Sequence, residues 1–296
     1  MRRVSTADAL DAEAELVERL GVLLAAGLPV SAAWRHLAAE DPGGLAARVA
    51  GEGDIAERLA AEADAAGTRS LAAAWRVAVV AGAPLAATLG ALADSRRELA
   101  EAARERETAL AGPRATSRIV LALPPLGVLL GALLGLDTLG VLLGRPVGWG
   151  CLVLGALLVA TGRRWTARML RRAAEGPPAP GLALELVAIG LSAGMPPERA
   201  LALAAEGLRR AGLDDGTPEA LRHLAFARGA GVPAAGLLRH AARAARRRAR
   251  ADAARRAAEL GTRLVLPLGL CVLPAFVLLG VVPAGLAIVS STSLGP

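Results

Sequence analysis

The residues whose types could support chemistry are few and widely separated in this sequence. Three histidines, His36, His223 and His240, have no cysteine or carboxylate at the spacing of metal ligands. The two cysteines, Cys151 and Cys271, each lie in an apolar stretch, where a thiol packs as a small hydrophobic group. All 34 Lys and Arg residues are arginine, so the lysine of a phosphate-binding loop is missing. The inventory predicts no catalytic residue, no metal site and no cofactor.

Acidic residues are equally sparse near the apolar stretches. Asp137 is the one acid beside the first of them, whereas an intramembrane aspartyl peptidase needs a pair. Ionisable groups inside the stretches, which a transporter usually carries, are almost lacking. An enzyme is therefore disfavoured, and a small membrane transporter or channel is the main alternative to a non-enzymatic scaffold.

Charged residues instead form two stripes at helical spacing. Positions i, i+4, i+7 and i+11 share one face of an α-helix, so each stripe is a continuous charged surface. We predict that the stripes face one another, within a chain or across an oligomer, with local helix pairs as the alternative. The basic stripe also suits an acidic partner or anionic lipid, or is a plain solvated face; nucleic acid is disfavoured because stacking aromatics are missing. The acidic stripe is Asp94, Glu98, Glu101 and Glu105, and the basic stripe is Arg239, Arg243, Arg246 and Arg250.

An internal repeat positions these stripes. The segment LGVLLAAGLPVSAAWRHLA, from Leu20, aligns with VAIGLSAGMPPERALALAA, from Val187, and VAGAPLAATL aligns with RGAGVPAAGL. The alignment pairs four Gly-x-Pro units in the same order. In each unit we expect glycine to end one helix in the left-handed conformation and proline to open the next helix at its first position. The four turns are Gly27 to Pro29, Gly82 to Pro84, Gly194 to Pro196, and Gly231 to Pro233.

Both copies are predicted to be helical. Leu85, Leu89 and Leu92 have the spacing of an amphipathic helix, and no run of alternating β-branched residues indicates a strand. The copies differ in length, because 55 positions separate the two glycines of the first copy and 37 separate those of the second.

Three apolar stretches are predicted to cross a membrane. The chain of 296 residues is 54% hydrophobic, with a mean hydropathy of +0.46. A bilayer core requires about 20 apolar helical residues. The stretches 119–136 and 264–290 satisfy this, and 147–161 fits the return limb of a hairpin. The first eighteen residues hold no continuous apolar stretch, so no cleavable signal peptide is expected.

Small residues and prolines mark how these spans pack. Gly127, Gly131 and Gly135 recur every four residues in the first span, leaving a groove for another helix, of this protein or of a partner. The last span contains three prolines, which predicts a kinked helix; a span followed by a re-entrant turn is the alternative.

The distribution of charge predicts the orientation. Arginines flank the spans on the side of the two polar regions, and the tail after the third span is uncharged. Both polar regions and the N-terminus are therefore expected in the cytoplasm, and the C-terminus outside. The first polar region, 1–118, carries a net charge of −3, and the second, 163–263, carries +10.

This arrangement resembles the type II secretion system F family, the inner-membrane platform proteins of type II secretion, type IV pili and tight-adherence (Tad/Flp) pili. Two strings, ALAGPRATSRIVLALPPLGVLLGALLGLDTLGVLL and RLVLPLGLCVLPAFVLLGVVP, are similar to segments of actinobacterial Tad-type members. The order of domain, two spans, domain and one span is closer to the type II secretion and type IV pilus members.

The resemblance implies an all-α membrane protein with two repeated cytoplasmic helical bundles and three transmembrane helices. It also implies a non-enzymatic platform that couples a hexameric secretion ATPase to extraction of pilin or pseudopilin subunits from the bilayer. The platform would be a homo-oligomer or a complex with a paralogous platform protein. The expected segments are a bundle at 1–118, a transmembrane hairpin at 119–162, a second bundle at 163–263, a span at 264–290 and an external tail at 291–296.

Overall fold

The fold is described from a computed structural model of the chain. The described residues divide into two compact units, one formed by 1–104 with 176–251 and one by 105–175 with 252–296. Regular structure within the described ranges is entirely helical, so the predicted all-α class is confirmed. The structure describes residues 6–51, 53–62, 66–133, 140, 143–144, 146–174, 179–214, 216–283 and 285.

The first unit holds helices of both repeats. Helix α6 begins in this unit and ends in the second, and α11 does the same. The helices of the first repeat are α1 (Thr6–Ala25), α2 (Val30–Glu40), α3 (Leu45–Val49), α4 (Ile55–Ala61), α5 (Ala66–Ala81) and α6 (Leu85–Leu133). Those of the second are α8 (Leu182–Ser192), α9 (Pro197–Arg210), α10 (Thr217–Ala230) and α11 (Ala234–Arg263), following α7 (Pro146–Ala174).

The two repeats differ by one helical insertion. Helices α3 and α4 lie between α2 and α5, whereas α9 is followed directly by α10. The equivalent elements are therefore α1 and α8, α2 and α9, α5 and α10, and α6 and α11. The insertion accounts for the longer spacing between the glycines of the first repeat.

The four Gly-x-Pro turns share one geometry. Gly27, Gly82, Gly194 and Gly231 have φ of +90°, +67°, +83° and +66°. The residue after each glycine donates its N–H to the carbonyl five positions back, as Met195 does to Gly190 at 3.1 Å, which is a Schellman cap.

Each proline precedes the next helix by one residue, so the prediction that proline is its first residue was wrong by one position. Pro29 and Pro196 are N-caps, with ψ near 145°. In the same way α6 begins after Pro84 and α11 begins after Pro233.

One hydrophobic core is shared by the helices of both repeats. Helix α5 packs against α4 of its own repeat and against α8 and α9 of the other. Trp34 and Trp75 meet edge to face, with ring centroids 5.7 Å apart. The sequence predicts two bundles, and the structure joins the helices of both repeats in one unit because the α8–α9 hairpin buries α5 from the side that its own repeat leaves uncovered.

The second unit contains the apolar end of α6, helix α7 and a C-terminal apolar helix. The last of these alternates α-helical segments, Val265–Pro267 and Leu273–Phe276, with π-helical turns, Leu268–Val272 and Val277–Val281. Proline removes a backbone donor, and wider turns accommodate the carbonyls that this leaves. The helix is continuous to Pro283, and the rest of the predicted span lies outside the described residues, apart from Gly285.

Two helical segments among the described residues, Pro146–Ala173 and Ala234–Val281, are long and apolar enough to cross a membrane by length and composition. They include the second predicted span, 147–161, and the third, 264–290, as far as Val281. The first predicted span, 119–136, coincides with the end of α6 up to Leu133, and its last residues lie outside the described ranges.

Replacing a turn glycine tests the cap geometry. We expect Gly194→Ala to lower the free energy of unfolding by about 1–2 kcal/mol, because a Cβ disfavours the left-handed conformation even where space is open. The matched control is Gly236→Ala within α11, also in open space, which should be neutral or stabilising by up to about 1 kcal/mol. Denaturant unfolding of the purified protein measures both; equal effects would argue against a strained turn.

Candidate functional site: the charged seam of the first unit

The charged stripes meet along α6 and α11, where Arg246 and Arg250 face Glu98 and Glu101; this contact is the charged seam. The Nε of Arg246 donates to the Glu98 carboxylate at 2.6 Å, and Arg250 lies 4.0 Å from Glu101. The partner of Glu98 is thus Arg246 and not Arg247, its counterpart in the repeat alignment.

Other stripe members make different contacts. Arg239 donates to Ser192 Oγ at 2.6 Å, Arg243 lies 3.3 Å from His240 Nδ1, and Asp94 pairs with Arg97 of its own helix at 3.5 Å. Glu105 is the first residue of the second unit.

Arg246 is the centre of this seam. Its side chain is only 7% exposed, and its Nη1 donates to Glu185 Oε2 at 3.2 Å while its Nε binds Glu98. The Glu185 side chain is 12% exposed. Burial raises the pKa of the Glu185 carboxyl above its usual value, and the positive charges of Arg246 and Arg96 offset part of that rise. Two carboxylates therefore share one buried guanidinium.

A second buried arginine, Arg96, lies beside this cluster. Its Nη2 donates to the Gly67 carbonyl at 3.0 Å. A Cβ on Gly67 would overlap the carboxylate of Glu13, so glycine here makes room for an acid. Burial lowers the pKa of Arg96 and raises the pKa of Glu13, and their mutual attraction opposes both shifts. The guanidinium of Arg96 and the carboxylate of Glu13 therefore lie close enough to attract each other inside the cluster.

Sequence reasoning missed three members of this cluster, Glu13, Arg96 and Glu185. Glu185 had a usable signal, because it is the only charged residue in the apolar helix α8. Arg96 had none, since it lies beside Arg97 in a helix rich in charge, and only the packing shows which of the two is buried.

The Arg246–Glu185 pair occurs twice in the chain. Aligning the turn glycines matches Glu185 with Glu18 and Arg246 with Arg97, and Arg97 donates to Glu18. In the first repeat the side chains of Arg97 and Glu18 are 44% and 48% exposed. The same ion pair is therefore a surface contact in one repeat and a buried contact in the other.

Glycines bring the apolar helices of the second unit together. A Cβ on Gly127 would lie 2.8 Å from the Phe276 ring and 3.7 Å from the Gly280 Cα. Gly155 and Gly162 of α7, which the sequence analysis did not single out, have similarly close contacts with Leu279 and Cys271. The absence of a side chain at Gly127 therefore lets α6 and the C-terminal helix approach closely. Gly131 lies in α6, and Gly135 lies outside the described residues.

Within the described ranges, no three His, Cys, Asp or Glu side chains are grouped so that they could hold a metal ion. Besides its charges, the first unit has a cavity of about 340 Å³ between α5, α6, α8 and α11, lined by apolar side chains with Glu185 and Arg239. The paired charges fix how the helices of this unit are oriented relative to one another.

The repeat-related ion pairs allow a direct test of burial. We expect Arg246→Met to destabilise the fold by about 3–5 kcal/mol, because it leaves two carboxylates without their shared buried cation. Arg97→Met changes the equivalent exposed pair and should cost about 1 kcal/mol or less. Denaturant unfolding of both variants would show the difference, and similar losses would mean that burial does not distinguish the pairs.

Comparison with known proteins supplies a family. A sequence model described as "Type II secretion system (T2SS), protein F" matches residues 16–132 and again residues 166–282. Searches of curated proteins and of solved structures returned no match. Each matched stretch contains bundle helices and ends in an apolar helix.

Proposed function

Because the chain belongs to the type II secretion system protein F family, we propose that it is the inner-membrane platform of a machine that assembles a pilus or pseudopilus or secretes proteins. Members of this family are structural platform proteins of the inner membrane, not enzymes, and are associated with secretion ATPases and pilins. The observation that carries the proposal is the family match in two copies over most of the chain.

In this proposal the platform performs no hydrolysis of its own. A cytoplasmic hexameric ATPase supplies the energy, the first unit receives the motion, and the apolar helices guide pilin or pseudopilin subunits out of the bilayer. The working form is an assembly of several copies, or a complex with a paralogous platform protein. The Tad-like subtype rests on the two similar strings in the apolar segments.

The charges of the first unit suggest where an acidic ATPase surface would bind. Arg246 is buried and paired, so it is unavailable to a partner. Arg243, Arg247 and Arg248 of α11 are exposed, so their positive charges are accessible to a partner. The proposed ATPase contact is these three residues, in place of the full predicted stripe.

Exposed apolar side chains of the second unit support three spans. Ile119 and Leu126 of α6, Val153 and Leu157 of α7, and Leu270 of the C-terminal helix are largely exposed. Such surface suits lipid better than water. We propose spans at 119–136, 147–161 and 264–290, with the N-terminus in the cytoplasm and the C-terminus outside.

The partner proposal is tested by gentle detergent purification of the tagged protein from its native host, with mass spectrometry of what copurifies. We expect a secretion ATPase and small pilin-like proteins. Arg247→Glu with Arg248→Glu should reduce ATPase recovery about tenfold, a loss of about 1.4 kcal/mol from reversed interfacial charges. Arg209→Glu with Arg210→Glu, the same charge change on α9, is the control. Recovery of the protein alone, with normal pili in a deletion strain, would rule out the platform role.

The orientation is tested by cysteine labelling in a background where Cys151 and Cys271 are alanine. We expect Ser293→Cys to react with a membrane-impermeant maleimide in intact cells, because the tail is outside. Arg199→Cys on the exposed side of α9 should react only after the membrane is opened. Labelling of Arg199→Cys but not of Ser293→Cys in intact cells would mean that the topology is inverted. Labelling of both sites in intact cells would contradict the proposed topology.

A further inference from the structure

One face of helix α5 is left uncovered by the helices of its own repeat and is covered by helices of the other repeat. Ala73 and Val77 are buried on α5, and Val77 is 0% exposed. They lie against Gly207 of α9, where an added Cβ would be 3.4 Å from Val77 Cγ2 and 3.6 Å from the Ala73 carbonyl oxygen. The face of α5 that its own repeat leaves open is thus covered by the α8–α9 hairpin.

Helix α10 is the equivalent of α5, and its matching face is exposed. Alignment of Gly82 with Gly231 places Arg222 at the position of Ala73 and Phe226 at the position of Val77. Phe226 is 64% exposed, and Arg222, one turn before it on the same face, is also exposed. The opposite face of α10, with Ala220, Leu224 and Ala227, is buried, as the corresponding face of α5 is. An exposed phenylalanine with an arginine beside it has the composition of an interface centre.

We propose that this face of α10 binds the α1–α2 hairpin of a second copy of the chain. The α1–α2 hairpin is the repeat equivalent of α8–α9, so the contact would reproduce between two chains the packing that α5 and α9 make within one. Alignment of Gly27 with Gly194 places Glu40 at the position of Gly207. Ala73 and Gly207 meet within the chain. In the proposed contact the equivalent residues, Arg222 and Glu40, meet between chains.

The charges at these two positions are complementary. Glu40 is about half exposed at the end of α2, where Arg19 donates to it at 3.2 Å, and Asp41 beside it is exposed. Arg222, four residues before Phe226, is the exposed charge beside it, whereas Arg228, two residues after it, lies on another side of α10, 3.4 Å from Glu198. Two α10 faces would place two copies of Arg222 against each other, whereas α10 against α2 places Arg222 against Glu40. This favours a head-to-tail contact over a symmetric one.

A head-to-tail contact leaves one α10 face and one α1–α2 hairpin open at the ends of every pair. Further copies can therefore add until the assembly closes into a ring. The inference deepens the self-association included in the proposed function and rests on it, but it is tested without an ATPase or a pilin.

The test measures self-association of the full-length protein in nanodiscs or mild detergent by sedimentation velocity over a range of concentrations. We expect Phe226→Ala to weaken association about tenfold or more, as loss of a central aromatic residue does. Arg222→Glu and Glu40→Arg should each weaken it, and the double variant Arg222→Glu with Glu40→Arg should restore most of the loss. Arg199→Glu, an exposed arginine of α9, is the control for charge and should have no effect.

Each outcome tests a different part of the proposed contact. A wild-type protein that remains monomeric at all concentrations overturns self-association itself. Association that is unchanged in Phe226→Ala and Arg222→Glu overturns this surface and leaves self-association through another. Single charge variants that weaken association without rescue in the double variant overturn the pairing of Arg222 with Glu40. Unfolding midpoints equal to that of the wild type show that the variants are folded, as expected for exposed positions.

Discussion

A buried guanidinium in a helical protein has to be paired, because arginine keeps its proton and an uncompensated charge in a low-dielectric core is very costly. Among the described residues of the first unit this requirement applies twice, at Arg96 and at Arg246. Arg246 takes one carboxylate from α6 and one from α8, so it can be satisfied only when helices of both repeats are in place. The apolar core supplies most of the favourable free energy, and the ion pairs restrict which relative position of the helices is allowed. Glycines at the turns make that position reachable by directing each chain reversal in the same way.

The sequence was most informative where local backbone chemistry decides the structure. The Gly-x-Pro units predicted four helix turns, and four glycines with positive φ are found there. The proline was misplaced by one residue, because a capping residue and a first helical residue both accept φ near −60° and differ only in ψ. The all-helical class followed from periodicity, and the duplication from the order of the turns.

Contacts between distant segments were less accessible. Repeat alignment matched Glu98 with Arg247, but aligned positions occupy equivalent places and do not thereby touch; the partner across the seam is Arg246. The burial of Arg96 beside the exposed Arg97 depends on rotation about the axis of α6, which composition does not reveal. Gly155 and Gly162 lack the regular spacing that made Gly127 conspicuous, although their contacts are as close. In each instance the sequence does not show which surface the residue packs against.

The unequal burial of the two related ion pairs has a consequence for how the duplicated halves diverge. Glu18 and Arg97 can be replaced one at a time by any polar residue at little cost, so drift can erase the pair from the first half in separate steps. Glu185 and Arg246 can be exchanged only together, for a combination that fills the same volume, since each intermediate carries a stranded charge. The first half can therefore lose this ion pair during divergence more readily than the second half, although both halves carry it in this chain.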